Sequence, residues 1–273
     1  MKRNEQEIIK RTETPATIQS LKTDLSNLGI TPGMTLLVHS SMSALGWVCG
    51  GPVAVVLALE ELLDPLGTLV MPTQSSSLSD PSGWRNPPVP KTWWKIIQQT
   101  MPAYDPDLTP STGVGVVPEC FRKQKGVHRC MHPQVSFAAY GSKATTIIKD
   151  HSLDFGLGEG SPLARLYDLD GWVLLLGVGY INNTSLHLAE YRATYPSKQL
   201  IKNRSPMMIK GCRKWVEFED IEIDDSDFKS IGESFTKETG LVHSGHVAQS
   251  PALLMPQRPL IDFAVQWMEK NRN

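Results

Sequence analysis

His187 and Glu190 lie three residues apart in the segment SLHLAE, a spacing that places two side chains on one face of a helix. An imidazole exchanges a proton near neutral pH, and a nearby carboxylate can orient the ring, stabilise its protonated form or hold a cationic substrate. The pair therefore has the composition of a general base with an acidic partner. The alternative is a surface pair on an amphipathic helix, and spacing alone does not separate the two interpretations.

Two short segments have the composition of an anion-binding backbone. VHSS ends in His39, Ser40 and Ser41, where N–H groups that follow a strand can face a phosphate. STGVG, residues 111–115, carries glycines that let a ligand approach the main chain closely. The hydroxyl residues are equally good caps of turns and helices, so both interpretations stay open.

A third segment, DFGLGEGSP, joins Asp154 and Glu159 to three glycines. Such a loop either presents two acids to a cationic ligand or leaves them in solvent. A metal-dependent hydrolase would need His132, Asp154 and His187 to converge. Since the four cysteines form no C-x-x-C pair and the histidines form no H-E-x-x-H motif, we expect no metal site.

Several common catalytic signatures are missing from the sequence. There is no G-x-x-x-x-G-K-[ST] loop, no G-x-G-x-x-G motif opening a helix and no G-x-S-x-G elbow. The pyrophosphate loop of the most common acetyltransferase superfamily, R/Q-x-x-G-x-G/A, is also missing. These absences argue against phosphoryl transfer, dinucleotide redox chemistry and ordinary serine hydrolysis.

Composition places the chain among ordinary globular proteins, with 273 residues, 40% hydrophobic and 20% charged. A formal net charge of −1 lacks the basic excess with which proteins neutralise nucleic-acid phosphates. No apolar run approaches the roughly 20 residues that span a bilayer. We therefore expect a cytoplasmic protein with neither a nucleic-acid nor a membrane partner.

The elements that must position these residues follow an α/β order. Residues 34–41 and 67–73 read as strands, and residues 52–65 between them read as a helix with Pro52 near its start. Residues 172–179, WVLLLGVG, form the clearest buried strand, and the segment bearing His187 follows it as a helix. The fold class predicted is α/β, with a mixed, partly parallel sheet flanked by helices.

The C-terminal part of the chain changes character. SPMMIKGCRKWVEFEDIEI suggests a hairpin, DFKSIGESFTKET a helix and RPLIDFAVQWMEK a closing helix. No internal repeat is visible. We expect one domain over residues 1–273, with a strand-rich elaboration at about 199–273.

Taken together, the ordered motifs resemble the aminoglycoside 3-N-acetyltransferases, the antibiotic N-acetyltransferase family. The resemblance covers nearly the whole chain. It is carried by LLVHSSMSALGWVCGG (36–51), GTLVMPT (67–73), YDPDLTPSTGVGVVPECFR (104–122), HRCMHPQVSFAAYG (128–141), LDFGLGEGSPLARL (153–166) and GWVLLLGVGYINNTSLHLAE (171–190). Two departures are Cys130, where serine is usual, and GVG, where a methionine–glycine pair is frequent.

The resemblance implies a fold distinct from the common acetyltransferase superfamily and transfer of acetyl from acetyl-coenzyme A, as cosubstrate, to the 3-amino group of a 2-deoxystreptamine aminoglycoside. His187 matches the family's general base and Glu190 the acid near the substrate amine. Asp154, Glu159 and Glu190 are then expected to contact the acceptor. The positions that match the family's coenzyme A site are His39, Ser40, Ser41, Met71, Pro72, Thr73, Ser111, Thr112, Gly113 and Val114.

Two alternatives remain open at this stage. One is an acetyl-coenzyme A-dependent acyltransferase that acts on a different amine, and the other is a coenzyme A-binding protein without turnover. The donors to the oxyanion of the reaction are expected in residues 111–115 or 39–41, and the sequence does not choose between the two loops. It makes no prediction of oligomeric state.

Overall fold

The computed structural model describes residues 2–273. Its strands form a seven-stranded main sheet in the order β3-β4-β2-β1-β5-β9-β8 and a separate hairpin of β6 and β7. The strands are β1 (Thr35–Ser40), β2 (Thr68–Pro72), β3 (His128–Arg129), β4 (Phe137–Gly141), β5 (Trp172–Leu176), β6 (Leu200–Ile209), β7 (Cys212–Ile221), β8 (His243–Val247) and β9 (Ser250–Pro256). The predicted α/β class with a mixed sheet is confirmed.

The helices surround this sheet. They are α1 (Lys2–Arg11), α2 (Ile18–Leu28), α3 (Gly51–Leu63), α4 (Trp94–Thr100), α5 (Val116–Phe121), α6 (Ala144–Ile148), α7 (Pro162–Asp168), α8 (Ser185–Arg192), α9 (Phe228–Thr239) and α10 (Gln257–Asn271). None of the helices found in residues 2–273 has the length and apolar character that a bilayer crossing requires.

The central strands are apolar on both faces. Leu36 and Val38 of β1 belong to a buried cluster with α2, α3 and α5, whereas Leu37 between them belongs to a second cluster with α6 to α10. Successive side chains of a strand point to opposite faces, so β1 needs cover on both sides. Helices therefore pack on each face, and the sheet lies buried between them.

Local signals define the best-formed helices. In α2, Thr17 caps the first turn through a capping box with Ser20, and Gly29 ends the helix in the left-handed conformation with φ 114°. In α7, the Ser161 hydroxyl accepts from the Leu163 N–H. Such caps can be recognised in the sequence as the beginnings and ends of helices, and they fix the loops that connect these helices to the sheet.

Strand direction determines where a site can form. β1 runs parallel to β2 and to β5, so the carboxyl ends of all three strands meet at one edge of the sheet. β4 and β9 flank them as antiparallel strands. In open α/β sheets this carboxyl edge is where ligands bind.

The C-terminal region is divided between two structures. The predicted hairpin is present as β6 and β7, with its strands paired from Leu200↔Ile221 to Ile209↔Cys212 outside the main sheet. β8 and β9, which periodicity did not predict, join the main sheet beside β5. Helix α1 was also not predicted, because its residues lack an apolar stripe long enough to read.

Candidate active site

A cleft of about 910 Å³ opens at the carboxyl edge of the parallel strands. The segments that follow β1, β2 and β5 form its walls, together with His187 at the start of α8. Helix α1 contributes Glu5 and Ile8 at another side. The strand order therefore brings together segments that are more than 130 residues apart in the chain.

Six of the ten residues expected to receive coenzyme A line this cleft. They are His39, Ser40, Ser41, Pro72, Gly113 and Val114. His187 lines the same cleft, so the proposed base and this part of the proposed coenzyme site share one space. Whether these residues bind coenzyme A remains a prediction.

Met71 and Thr73 lie outside the cleft lining, contrary to the sequence expectation. Met71 is fully buried in the apolar cluster that contains α3, because it points into the sheet's face one residue before Pro72. Thr73 is also fully buried, and its hydroxyl accepts from Nε of Arg129 at 3.1 Å. Both residues support the strand end instead of lining the cleft.

Ser111 and Thr112 likewise do not line the cleft. Both the N–H and the hydroxyl of Ser111 donate to Oε2 of Glu119, at 2.9 and 2.6 Å. The N–H of Thr112 donates to the carbonyl of Gln74 at 2.7 Å. These bonds anchor the loop that presents Gly113 and Val114 to the cleft.

His187 and Glu190 form a hydrogen-bonded pair on α8. Nδ1 of His187 lies 2.5 Å from Oε2 of Glu190, and a carboxylate can only accept at that contact, so Nδ1 carries the proton. The side chain of His187 is 12% exposed, whereas that of Glu190 is completely buried. Nε2 is thus the ring nitrogen left free to act as a base.

The second oxygen of Glu190 is also occupied. Oε1 accepts from the N–H of Asp224 at 2.9 Å and from Nη1 of Arg272 at 2.7 Å. Because both oxygens are engaged and the side chain is buried, a direct contact between Glu190 and an acceptor does not fit this geometry. The structure places the carboxylate behind the imidazole, where it orients the ring.

Asp154 and Glu159, the other two residues expected to contact the acceptor, do not line the cleft. Oδ1 of Asp154 accepts from the N–H of Glu219 at 2.8 Å, which ties its loop to β7. Glu159 is exposed and pairs with Arg192 at 2.7 Å, and this hydrogen bond holds the pKa of the Glu159 carboxyl below its usual value. Both acids of this glycine-rich loop therefore make contacts within the protein.

His39 is a second imidazole in the cleft. Burial, aided by the charge that His187 carries when protonated, lowers the pKa of His39 to about 3. Its Nε2 has no hydrogen-bond partner among the described residues. At neutral pH the cleft therefore contains one uncharged, buried imidazole in addition to His187.

The sequence did not single out several other residues that line the cleft. They include Met42, Ser43, Gly46, Trp47, Gly50, Gly51, Gln74, Asn182, Thr184 and Asp225. Gly50 and Gly51 both have positive φ, at 88° and 58°, and lead into α3 without a side-chain cap. The G-G pair before Pro52 was a readable signal for such an open helix start.

Asp225 comes from the segment EFEDIEIDDSD, whose acidic character is also visible in the sequence. The segment ends β7 and leads into α9, and it places Asp225 in the same cleft lining as His187. An exposed carboxylate there adds negative charge to the site.

Comparison with known proteins shows the class of enzyme that combines this mixed sheet and this cleft. Residues 37–269 match the aminoglycoside 3-N-acetyltransferase family. The chain belongs to that family and is an N-acetyltransferase, an acyltransferase whose cosubstrate is acetyl-coenzyme A. The family expectation from the sequence is confirmed.

Individual relatives cover nearly the whole chain. The SPbeta prophage-derived aminoglycoside N(3')-acetyltransferase-like protein YokD of Bacillus subtilis is 43% identical over 97% of this chain and 96% of its own length. Aminoglycoside N(3)-acetyltransferase VII of Streptomyces paromomycinus is 35% identical over 96% of this chain and 95% of its own.

Solved structures share the fold. The crystal structure of Bacillus subtilis YokD is 43% identical, covers 97% of this chain and 98% of its own, and has a TM-score of 0.94. AAC-IIIb in binary complex with CoASH is 30% identical, covers 95% and 98%, and has a TM-score of 0.84. AAC-VIa bound to sisomicin is 28% identical, covers 95% and 99%, and has a TM-score of 0.85.

Proposed function

We propose that this enzyme transfers acetyl from acetyl-coenzyme A to the 3-amino group of a 2-deoxystreptamine aminoglycoside, with His187 as the general base. The observation that carries the proposal is the bond from Nδ1 of His187 to the buried carboxylate of Glu190, on the wall of the cleft. In the neutral ring that bond places the proton on Nδ1, so Nε2 carries the lone pair that a base needs.

The chemistry requires such a base. An acceptor amine is mostly ammonium near pH 7 and has no lone pair for attack on a thioester. The ammonium first releases one proton to solvent. The resulting amine then bonds to the thioester carbonyl carbon while Nε2 of His187 takes a second proton from the nitrogen and the carbonyl electrons move onto oxygen. When this tetrahedral intermediate collapses, the carbon–sulfur bond breaks, and the coenzyme A thiolate regains a proton from the imidazolium.

Glu190 supports this step without touching the substrate. Its carboxylate fixes the orientation of the ring and the position of its proton, and it stabilises the imidazolium formed during attack. The rings of His187 and Phe228 lie 4.8 Å apart between centroids, which restricts the imidazole from a second direction. Preorganisation of the base therefore comes from α8 and from the start of α9.

The small residues that line the cleft form a suitable binding site for acetyl-coenzyme A. The start of α3 has no side-chain cap at Gly50, and the partial positive charge of a helix start suits phosphate oxygens. Gly113 has a φ of 76° and open space where a Cβ would stand, so a ligand can approach its backbone. The loops 39–41 and 113–115 both border the cleft, and either can supply the oxyanion donors.

The acceptor is proposed to be a polycation. Asp225 and Glu5 line the cleft, and carboxylates at its walls attract and orient a molecule with several ammonium groups. The family membership and a neighbour described as bound to sisomicin support an aminoglycoside. Regioselectivity for the 3-amino group rests on the relatives' names, which specify N(3).

A thiol-release assay with acetyl-coenzyme A tests the function. We expect rapid, enzyme-dependent release of free thiol with sisomicin and with several other 2-deoxystreptamine aminoglycosides, and a mass increase of one acetyl group on the 3-amino nitrogen of the product. Release with other amines alone would instead define an acyltransferase of different specificity. Binding of coenzyme A with no thiol release for any amine tested would define a protein without turnover.

A further inference from the structure

Arg272, the residue after α10, reaches back to the carboxylate that holds the proposed base. Its Nη1 donates to Oε1 of Glu190 at 2.7 Å. Its Nε and Nη2 donate to the two oxygens of Asp227, each at 2.7 Å, and Nη2 also donates to the carbonyl of Asp224 at 2.7 Å. All three guanidinium nitrogens are therefore engaged, and the side chain is only 8% exposed.

The positive charge of Arg272 compensates the buried carboxylate of Glu190. Glu190 is completely buried, and a buried carboxylate is unfavourable without a compensating charge. Burial disfavours the charged form of Arg272, but the hydrogen bonds to Asp227 and Glu190 outweigh it and raise the arginine's pKa. Arg272 is consequently a permanent cation, and the nearby Asp227 prevents it from turning away from Glu190.

We propose that Arg272 is a positioning residue for the transfer reaction, acting on His187 through Glu190. The inference rests on the proposed role of His187 as the general base. In this arrangement the path runs from Asp227 to Arg272, from Arg272 to Oε1 of Glu190, and from Oε2 of the same carboxylate to Nδ1 of His187. The guanidinium holds the carboxylate in the rotamer that presents Oε2 to the imidazole.

The bidentate geometry makes the role specific for arginine. The planar guanidinium satisfies Asp227 with one edge while it binds Glu190 with another nitrogen. A lysine at the same position keeps the charge but has one nitrogen to share among these acceptors. We therefore expect partial function from Arg272→Lys and greater loss from Arg272→Gln, which removes the charge.

Arg258 provides a matched control for a purely structural arginine. It lies on the first turn of α10, pairs with Asp170 at 2.7 Å and donates to the carbonyl of Tyr167 at 3.0 Å. It makes no contact with Glu190 or His187 in the described part of the chain. Arg258→Gln should affect stability and leave turnover within about twofold of the parent enzyme.

A double-mutant cycle between Arg272→Gln and Glu190→Gln, measured as kcat in the thiol-release assay with sisomicin, tests the proposal. Residues that orient metal-ligating histidines contribute roughly 10- to 100-fold, and we expect an effect of the same order for the oriented base, so Arg272→Gln should lower kcat by about tenfold or more while the KM for acetyl-coenzyme A stays near the parent value. In the Glu190→Gln background the same change should cost less than about twofold, since its route to His187 is gone.

Equal losses in both backgrounds would overturn the proposal, because a structural role adds independently of Glu190. An unchanged kcat in Arg272→Gln would overturn it as well. If Arg272→Gln does not fold, as judged by circular dichroism, the same cycle with Arg272→Lys decides by the same criterion. His187→Ala measured alongside separates the two hypotheses: full turnover in that variant refutes the base, whereas loss there with normal Arg272 variants refutes only the role of Arg272.

Discussion

The imidazole of His187 packs against the fully buried ring of Phe228, with ring centroids 4.8 Å apart and planes inclined by 59°. The bond from its Nδ1 to Glu190 constrains the ring from a different direction. The imidazole thus has a fixed orientation before substrate enters. Preorganisation of this kind lowers a reaction barrier because little is left to arrange at the moment of attack.

Replacement of His187 by alanine should lower kcat by at least about 10²-fold, the usual contribution of a general base. Binding of coenzyme A should change little, because the walls offered to it belong mainly to the segments after β1 and β2. Thiol release at saturating acetyl-coenzyme A measures the first quantity, and calorimetry measures the second.

The exposed residue His246 on β8 supplies the control for that experiment. His246→Ala should keep the parent kcat, since it removes an imidazole far along the sheet from β1. Turnover close to the parent value in His187→Ala would exclude this residue as the base, and another group in the cleft would have to take the proton.

Glu190→Gln should reduce kcat by about tenfold or more and leave the KM for the aminoglycoside nearly unchanged. The reason is its burial behind the imidazole, which allows it to act on the ring and not on the acceptor. An amide at this position can offer its N–H to Nδ1 and favour the wrong tautomer. Steady-state kinetics with the acceptor varied gives both constants; a higher KM at an unchanged kcat would place Glu190 in contact with substrate instead.

Asp225→Asn should raise the KM for a polycationic acceptor several-fold, because it removes a negative charge from the cleft lining. Glu159→Gln, matched in chemistry, should leave that KM unchanged, since Glu159 already pairs with Arg192 outside the cleft. The difference should shrink as salt is added, because exposed charges are screened. The opposite ranking of the two variants would restore the acidic glycine loop as the acceptor site.

The sequence could predict the elements around the site because each has a local signal. The buried apolar run that begins at Trp172 predicted β5, and the apolar segment after Pro52 predicted α3, whose observed bounds are Gly51–Leu63. The ligand-facing end of a strand was harder to predict at single-residue resolution. Pro72 lines the cleft and Met71 does not, because adjacent strand residues point in different directions.

Contacts between distant segments were beyond local reasoning. Asp225 reaches the cleft only because the hairpin of β6 and β7 returns the chain to α8, and no periodicity encodes that return. Asp154 and Glu159 had the residue types of an acceptor site, but their partners come from β7 and α8. Residue type identified groups able to do the chemistry, whereas tertiary packing decided which of them are free to do it.

Gly232→Ala should destabilise the protein by about 1–3 kcal/mol or more, although alanine is the better helix former by about 1 kcal/mol. A Cβ built at Gly232 in α9 would lie 2.0 Å from Cγ of Tyr180, a ring buried just before α8. The clash outweighs the gain in helix propensity because neither α9 nor the buried ring can move freely. Urea denaturation measures the change, and the exposed neighbour Glu233→Ala should shift the unfolding free energy by less than about 0.5 kcal/mol.

Stability should fall as the pH drops below neutral, because His132 and His151 are buried as neutral rings with centroids 4.8 Å apart. Burial lowers the pKa of His132 from 6.5 to about 4, and burial together with the charge of His132 lowers that of His151 from 6.5 to about 3. Between pH 6.5 and the lowered pKa of each ring, the unfolded chain binds more protons than the folded one. The free energy of unfolding therefore decreases with falling pH, by up to about 1.4 kcal/mol per pH unit for each histidine. Above pH 6.5 both states are neutral at these positions and the effect vanishes. Denaturant titrations at pH 7 and pH 5 measure how steeply the free energy of unfolding depends on pH. His151→Gln should reduce this dependence, whereas the surface change His246→Gln should not. An unaltered dependence in His151→Gln would assign the acid sensitivity to other groups.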